Sequence, residues 1–291
     1  MSSSAGLWVV LPAAQQRGGA WIDDTLRLRS EEAGLAWRAP LAGCFPRQRV
    51  ERFRGDDAYD QVNEVFRARG WTDGLPIVPP TVARVEAMVA AVDRPPHEVL
   101  AELAPLNGLA TVEKVAACAV MAGCLPAQFG VVLAAVEAVA DPAFNLRGVQ
   151  TTDENVAPLV IVSGPAVRAA GLHAGIGLLG PGFQANACIG RALRLVLQTL
   201  GGGWPGAVSF AGAGQPGRYT LCVAEDDEAL PEGWPPLRVE LGYSAEDSVV
   251  VVTRAETAVN VTGSLAEIAS VMSSACSLFT VVHRGIPAVL L

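Results

Sequence analysis

Apolar residues recur at helical spacing through the first half of the chain. Residues 56–70 begin with acidic residues and end at a glycine, with hydrophobic positions three and four residues apart between them. Thr81 is a suitable N-cap for a second helix that we expect to end near residue 92. Thr111 is the predicted cap of a third helix, with Glu113 in its first turn, where the helix dipole favours an anion.

Residues 115–136 form a charge-free stretch about as long as a membrane span. Pro126 and Gln128 interrupt this stretch near its middle, and small residues dominate it. The interruption favours two buried helices that meet at "CLPAQ", the second ending near Ala140, over one membrane-spanning helix. The first residues lack the cationic segment of a signal peptide, so we expect neither secretion nor contact with a membrane.

The second half of the chain alternates strand-like and helix-like patterns. "APLVIVSGP" is a continuous apolar run, typical of a strand that is covered on both faces. Further strands are predicted at "RYTLCVAE", "PLRVELGY", "SVVVVTRAE", "LFTVVH" and "IPAVLL". "ANACIGRALRLVLQTLGGG" and "SLAEIASVMSSAC" predict helices. We therefore expect an α/β or α+β fold with a mixed sheet surrounded by helices, and with strands concentrated in the C-terminal half.

The composition limits the domain organisation and the class of partner. Residues 1–55 are polar and broken by glycine and proline, which predicts an extension that packs on a compact domain of residues 56–291 or on a partner. Hydrophobic residues make up 51% of the chain, which excludes disorder and favours a homo-oligomer. The net charge of −8, without a basic cluster, argues against a nucleic-acid surface.

Cysteine and histidine usage indicates a reducing compartment and no obvious metal site. The six cysteines form no C-x-x-C pair and lie in apolar segments, which favours reduced thiols in the cytoplasm. The three histidines are far apart and none has a ligand three or four residues further along the chain, so their spacing does not predict a zinc site. No cofactor is predicted, although a metal held by thiolates and imidazole stays open as an alternative.

The entrance to the helix near residue 186 carries an unusual density of polar and reactive groups. Gly180 and Gly182 free the backbone there, and Asn186 is the expected N-cap. Cys188 would lie in the first turn and Arg191 one turn later on the same face. Such an arrangement could bind a carboxylate or phosphate, or lower the pKa of the Cys188 thiol.

A purely structural interpretation of this entrance stays open. In this interpretation the glycines and Asn186 only cap a buried helix, while Arg191 pairs with a carboxylate such as Glu225, which ends a predicted strand. The glycines from residue 175 to 180 match G-x-G-x-x-G, but no strand directly precedes them and no acid follows about twenty residues later. A dinucleotide site is therefore not expected.

Two further cysteines and one histidine are candidates for the same site. Cys118 and Cys124 are six residues apart, so one continuous helix cannot turn both towards one cleft. Cys124 directly precedes the predicted helix break and has the better chance of lining a cleft. His173 lies in the loop that leads to the glycines, where it could act as a general acid or base.

Four segments resemble one protein family. They are "RGWTDGLPIVPPT", "AVMAGCLP", "GPGFQANACIGRALRLVL" and "AEDDEALPEGWPPLRVELGY". In this order they resemble the body of bacterial UGSC family (seleno)proteins, from about residue 59 to the C-terminus. The resemblance implies a fused or neighbouring redox domain with a Gly-Ser-Cys motif, which this chain lacks. It implies little about the chemistry of the body itself.

The departures from the family pattern concern the suspected site. Cys118 stands where the pattern has asparagine, His173 lies in a segment that departs from it, and Cys188 stands where it has threonine, whereas Cys124 and Arg191 match. We therefore expect Cys118, Cys124, His173 and Cys188 to meet in one pocket.

The predicted function is an enzyme that acts on a small anionic organic metabolite through a cysteine-centred pocket, by nucleophilic, redox or lyase-type chemistry. The predicted catalytic residues are Cys124, Cys188 and His173. The predicted substrate-binding residues are Asn186, Arg191, Gly180, Gly182, Cys118, Glu225 and Asp73. Two alternatives stay open: a non-catalytic subunit that binds a small molecule or a separate redox protein, and a metal-dependent enzyme.

Overall fold

The computed structural model describes residues 6–12, 49–256 and 263–273. Several expectations from the sequence fall outside these ranges: those for Cys44, Cys276 and His283, and the two strands predicted at residues 278–283 and 286–291.

The described residues form seven strands in three sheets. The strands are β1 Leu7–Val10, β2 Val50–Phe53, β3 Val99–Leu103, β4 Gly108–Thr111, β5 Ala157–Ser163, β6 Cys222–Ala224 and β7 Val249–Ala255. β1 pairs with β2 and β3 with β4, both antiparallel, while β5, β6 and β7 form the third sheet.

Nine α-helices surround these sheets in the described ranges. They are α1 Ala58–Ala68, α2 Val82–Val89, α3 Val112–Ala122, α4 Phe129–Ala140, α5 Leu146–Thr151, α6 Ala166–Ala169, α7 Gln184–Thr199, α8 Leu237–Glu240 and α9 Leu265–Met272. Thr81 and Thr111 cap α2 and α3 as predicted, each accepting a hydrogen bond from a backbone N–H three residues on.

The three-stranded sheet is mixed, which confirms the predicted fold class. β5 lies in the middle, parallel to β6 and antiparallel to β7. Val160 of β5 stands opposite Cys222 on one side and Val252 on the other, and its side chain is fully buried. Burial on both faces explains why this strand reads as a continuous apolar run.

The core is built largely from α3, α4 and α7, which pack against one another. Every residue of α3 except Glu113 and Lys114 is buried. Along α7 the predicted apolar stripe is buried; its residues are Ile189, Leu193, Val196, Leu197 and, just past the helix end, Leu200. The predicted break between α3 and α4 is also present, because α3 ends at a left-handed Gly123 and α4 starts after a 3₁₀ turn, Pro126–Gln128.

The expectation that strands concentrate in the C-terminal half is wrong. Four of the seven described strands, β1 to β4, precede residue 112. Val9 and Val10 of β1 are buried, and the backbone N–H of Val10 donates to the carbonyl of Pro80 at 2.8 Å. The segment that begins the chain therefore contributes to the core through β1.

Two predicted strands take other forms. "PLRVELGY" contains the short helix α8. Two successive prolines precede this helix and hold the backbone before it in an extended conformation. Arg238 of α8 then turns inward and binds the backbone carbonyl of Ala245 at 2.9 Å. "RYTLCVAE" is a strand only over its last part, in β6.

No single helix in the described ranges is both long enough and apolar enough to span a membrane. One bent pair, Pro126–Ala140 and Pro142–Thr151, meets the requirement by length and composition alone, with an angle of 71° between its parts.

Candidate functional site

Asn186 is not the N-cap of α7, contrary to the prediction. The helix begins at Gln184, and Asn186 is its third residue. The Asn186 side chain accepts a hydrogen bond from the backbone N–H of His173 at 2.9 Å and donates to the carbonyl of His173 at 2.9 Å. It also donates to the carbonyl of Cys222 at 3.3 Å. A buried amide thus joins the preceding loop to β6, and its oxygen is not available as a helix cap.

Cys188 lies in the second turn of α7, one turn later than expected, with its side chain half-buried. It faces the left-handed turn that ends α3, where a β-carbon added to Gly123 would lie 3.4 Å from the Cys188 Sγ. The Gln184 side chain donates to the Gly123 carbonyl at 2.7 Å and is held by Gln128 at 2.8 Å. These two glutamines and Gly123 were missed, although Gln184 stands four residues before Cys188 and therefore on the same helix face.

Burial raises the pKa of the Cys188 thiol, while a hydrogen bond from Gln184 and the charge of Arg191 oppose this rise. Cys188 is the only one of the four described cysteines whose side chain is not buried, and all four are free thiols. The Cys188 thiol therefore keeps its proton at neutral pH, and two groups beside it stabilise the thiolate that would form on proton loss.

Cys124 lies near both Cys188 and Cys222, and Cys124 and Cys222 are buried. Burial holds the pKa of Cys124 well above its usual range, and the neighbouring thiols Cys188 and Cys222 raise it further. Burial also raises the pKa of Cys222 to about 12. The structure thus brings Cys124 and Cys188 together as predicted and adds Cys222. Neither buried thiol has the electropositive, accessible surroundings of a reactive thiolate.

Cys118 is not part of this group, contrary to the prediction. Its Sγ lies 4.0 Å from the Oγ1 of Thr199, the last residue of α7. Thr199 is eleven residues beyond Cys188, which corresponds to roughly 16 Å along the helix axis. Burial raises the pKa of Cys118 to about 12. Cys118 is separated from Cys188 because its side chain on α3 faces the C-terminal end of α7.

His173 contributes to the shape of the loop before α7. Its ring stacks on that of Phe183, with centroids 3.7 Å apart, and its Nε2 lies 3.0 Å from the carbonyl oxygen of Ile176. Gly180 and Gly182 are exposed in the same loop. Helix α6, not a strand, is the last regular element before the glycines of residues 175–180.

Arg191 pairs with Asp73, not with a substrate or with Glu225. Its Nε and Nη2 donate to the two carboxylate oxygens of Asp73 at 2.7 and 2.9 Å, and Nη2 also donates to the carbonyl of Pro76 at 2.9 Å. The exposed fractions are 17% for the Arg191 side chain and 3% for that of Asp73. The two predicted anion-site residues therefore neutralise each other and attach the loop after α1 to α7.

Glu225 belongs to a separate network at the carboxyl ends of β5 and β6. One of its oxygens accepts a hydrogen bond from the backbone N–H of Leu237 at 2.8 Å, and the other accepts from the hydroxyl of Ser163. Arg238 joins this network and binds Asp227 with both terminal nitrogens. The carboxylate of Glu225 is therefore engaged by Ser163 and Leu237, with Arg238 nearby, and not by Arg191.

Across the described ranges, no group of three or more histidine, cysteine, aspartate or glutamate side chains is placed to hold a metal ion. Comparison of the chain with protein-family models, with curated proteins and with solved structures finds no match. The resemblance to UGSC family proteins therefore stays a prediction.

Proposed function

We propose that this protein is an enzyme that transfers a proton to a small anionic organic metabolite, with the Cys188 thiol as proton donor. One observation carries the proposal: Cys188 combines access to solvent with surroundings that keep its thiol protonated. An accessible, protonated cysteine can donate a proton, and Gln184 and Arg191 assist this because they oppose the rise of its pKa.

The proposed step moves one proton from the Cys188 thiol to the substrate. The S–H bond breaks, the proton goes to a basic carbon or oxygen of the substrate, and the electron pair stays on sulfur. Gln184 and Arg191 both lower the pKa of the thiol and so stabilise the resulting thiolate. In the reverse direction the thiolate takes a proton from the same atom of the substrate, and exchange of the thiol proton with solvent then carries deuterium from D₂O to that atom. A resident thiolate nucleophile fits less well, because burial outweighs both stabilising groups.

The start of α7 supports an anionic substrate. The residue before the helix is Phe183, which cannot accept a hydrogen bond through its side chain, so the first backbone N–H groups have no side-chain cap. These N–H groups and the helix dipole favour negative charge. The four free thiols of the described chain support a reducing compartment, so we propose a cytoplasmic location.

A non-catalytic subunit is the second candidate function, and the loop before α7 favours it. Ile176 is 98% exposed and Leu179 is 49% exposed, although both are apolar. Exposed apolar residues on one loop are typical of contact with another protein or with a second copy of the chain. In that case Cys188 would bind or contact a ligand without exchanging a proton.

Hydrogen exchange at carbon separates the two candidates. The purified chain is incubated in D₂O with a panel of small carboxylic acids, and deuterium incorporation is followed by proton NMR. We expect one acid to gain deuterium and the Cys188→Ser variant to lose roughly 100-fold in rate, the usual contribution of a positioned acid. Cys118→Ala, which removes a buried thiol at the far end of α7, should keep the rate. Equal rates in Cys188→Ser and wild type, or no exchange with any acid, would contradict the proposal.

A further inference from the structure

A small cleft beside the middle of α7 is lined by two arginines. Arg194 of α7 and Arg218 reach it, and Gly190, Leu193 and Leu221 form part of its wall. The cleft has about 180 Å³ of empty volume, including its mouth. The Arg194 side chain is buried, with the residue only 8% exposed, and Arg218 is partly buried. Two positively charged side chains therefore line the same small cleft.

These two guanidinium groups have no counterion in the described part of the chain. No carboxylate oxygen there lies within 4 Å of either of them, and Arg194 forms no hydrogen bond there. Arg218 donates from Nη2 to the Ser209 hydroxyl at 2.6 Å, but its Nη1 is buried without an acceptor. Asp73 is the acid whose charge acts on Arg194, yet both of its oxygens are bound to Arg191.

Arg238, the other buried arginine of the described chain, has the counterion that Arg194 and Arg218 lack. Arg238 has both terminal nitrogens on the carboxylate of Asp227 and its Nε on a backbone carbonyl. Burial and the charge of Arg218, by contrast, lower the pKa of Arg194 to about 10, and burial lowers the pKa of Arg218 as well. A buried charge without a partner is unfavourable, so an anion that enters the cleft supplies the counterion that both guanidinium groups lack.

We propose that this cleft binds one oxyanion group, a carboxylate or a phosphate, between the guanidinium groups of Arg194 and Arg218. Arginine presents N–H donors in a planar fork that matches the oxygens of both groups. The enclosed part of the cleft is about the size of one water molecule, so the oxyanion would bind at its open mouth and the rest of a larger ligand would lie outside. This site is additional to the proposed proton donor.

The two sites lie on different faces of α7. Cys188 and Arg194 are six residues apart, which corresponds to about 9 Å along the axis and about 120° around it. An oxyanion in the cleft therefore does not stand beside the Cys188 thiol. The two proposals can fail separately, because the cleft is tested by anion binding and Cys188 by hydrogen exchange.

Anion-dependent stability of the full chain tests the cleft. Thermal unfolding is measured in sodium phosphate, sodium acetate and sodium chloride at equal ionic strength, and phosphate and acetate are titrated calorimetrically. At about 100 times the dissociation constant we expect the bound oxyanion to raise the unfolding midpoint by roughly 5 °C relative to chloride. A response to phosphate alone indicates a phosphate site, and a response to acetate indicates a carboxylate site.

Three arginine variants identify the residues responsible. Arg194→Met and Arg218→Met should lose the oxyanion-dependent shift, whereas Arg67→Met, which removes an exposed arginine on α1, should keep it. In chloride, Arg194→Met should unfold at the same temperature as wild type or higher, because it removes an unpaired buried charge. The proposal is overturned if neither oxyanion binds the wild-type chain, or if both cleft variants keep the shift. If Arg194→Met does not fold, Arg218→Met and the wild-type titration decide.

Discussion

Removing one partner of the ion pair between Asp73 and Arg191 should destabilise this fold strongly. Asp73→Asn is the smallest change that removes the negative charge while keeping the side-chain shape. The Asp73 carboxylate accepts two hydrogen bonds from Arg191 and one from the backbone N–H of Leu75 at 3.2 Å. The substitution leaves the Arg191 guanidinium without its counterion beside the core.

The size of the effect follows from the burial of the two partners. Removing one partner of a buried, hydrogen-bonded ion pair typically costs 3–5 kcal/mol. Asp73 is almost fully buried, but 17% of the Arg191 side chain reaches water, which relieves part of the loss. We therefore expect Asp73→Asn to lower the free energy of unfolding by about 3 kcal/mol. Combining it with Arg191→Gln should recover about 1–3 kcal/mol of the summed single losses.

Urea unfolding at equilibrium, followed by tryptophan fluorescence, measures these values. Glu98→Gln is the matched control, because Glu98 pairs with Arg94 on the surface, where both side chains are about a third exposed. This control should change the free energy of unfolding by less than about 1 kcal/mol. A loss in Asp73→Asn no larger than that of the control would refute the reasoning. It would mean that Arg191 is free in solution to bind an anion, as the sequence had suggested.

Two further predictions concern the loop before α7 and the buried thiols. Asn186→Ala should lower the free energy of unfolding by roughly 2–4 kcal/mol, because the backbone N–H and carbonyl of His173 and the carbonyl of Cys222 lose a hydrogen-bond partner. Urea unfolding measures this loss, and a value below about 1 kcal/mol would contradict the prediction. Because the folded-state pKa of Cys118 and of Cys222 is raised from 9.0 to about 12, their contribution to stability is complete below pH 9 and is lost as the pH rises towards 12. Urea unfolding at pH 8 and pH 10.5 should show a decline that is smaller in Cys118→Ala, and an equal decline in both proteins would argue against this cause.

Features that depend on neighbouring residues could be predicted from the sequence. Thr81 and Thr111 cap their helices through hydrogen bonds to backbone groups three residues away, so the signal and its cause lie within one turn. The break between α3 and α4 follows in the same way from Pro126, which lies in the turn itself. The buried strand β5 was evident because its apolar run reflects cover on both faces.

Features that depend on distant partners could not be predicted. Asp73 and Arg191 are 118 residues apart, and the sequence analysis named Glu225, not Asp73, as an example of a partner for the arginine. β1 and β2 are short, and each becomes a strand because the other is present some forty residues away. Arg194 looked like one polar residue in an apolar helix, and only the fold places Arg218 beside it.

The alkylation rate of each cysteine as a function of pH tests the central claim about Cys188 most directly. The native chain is treated with iodoacetamide at a series of pH values, and peptide mass spectrometry gives each rate. We predict that Cys188 reacts faster than Cys118, Cys124 and Cys222, with an apparent pKa above the usual value of about 8.5. An apparent pKa well below that value would show a resident thiolate and contradict the role of proton donor. A Cys188 rate no higher than that of Cys118 would contradict its accessibility.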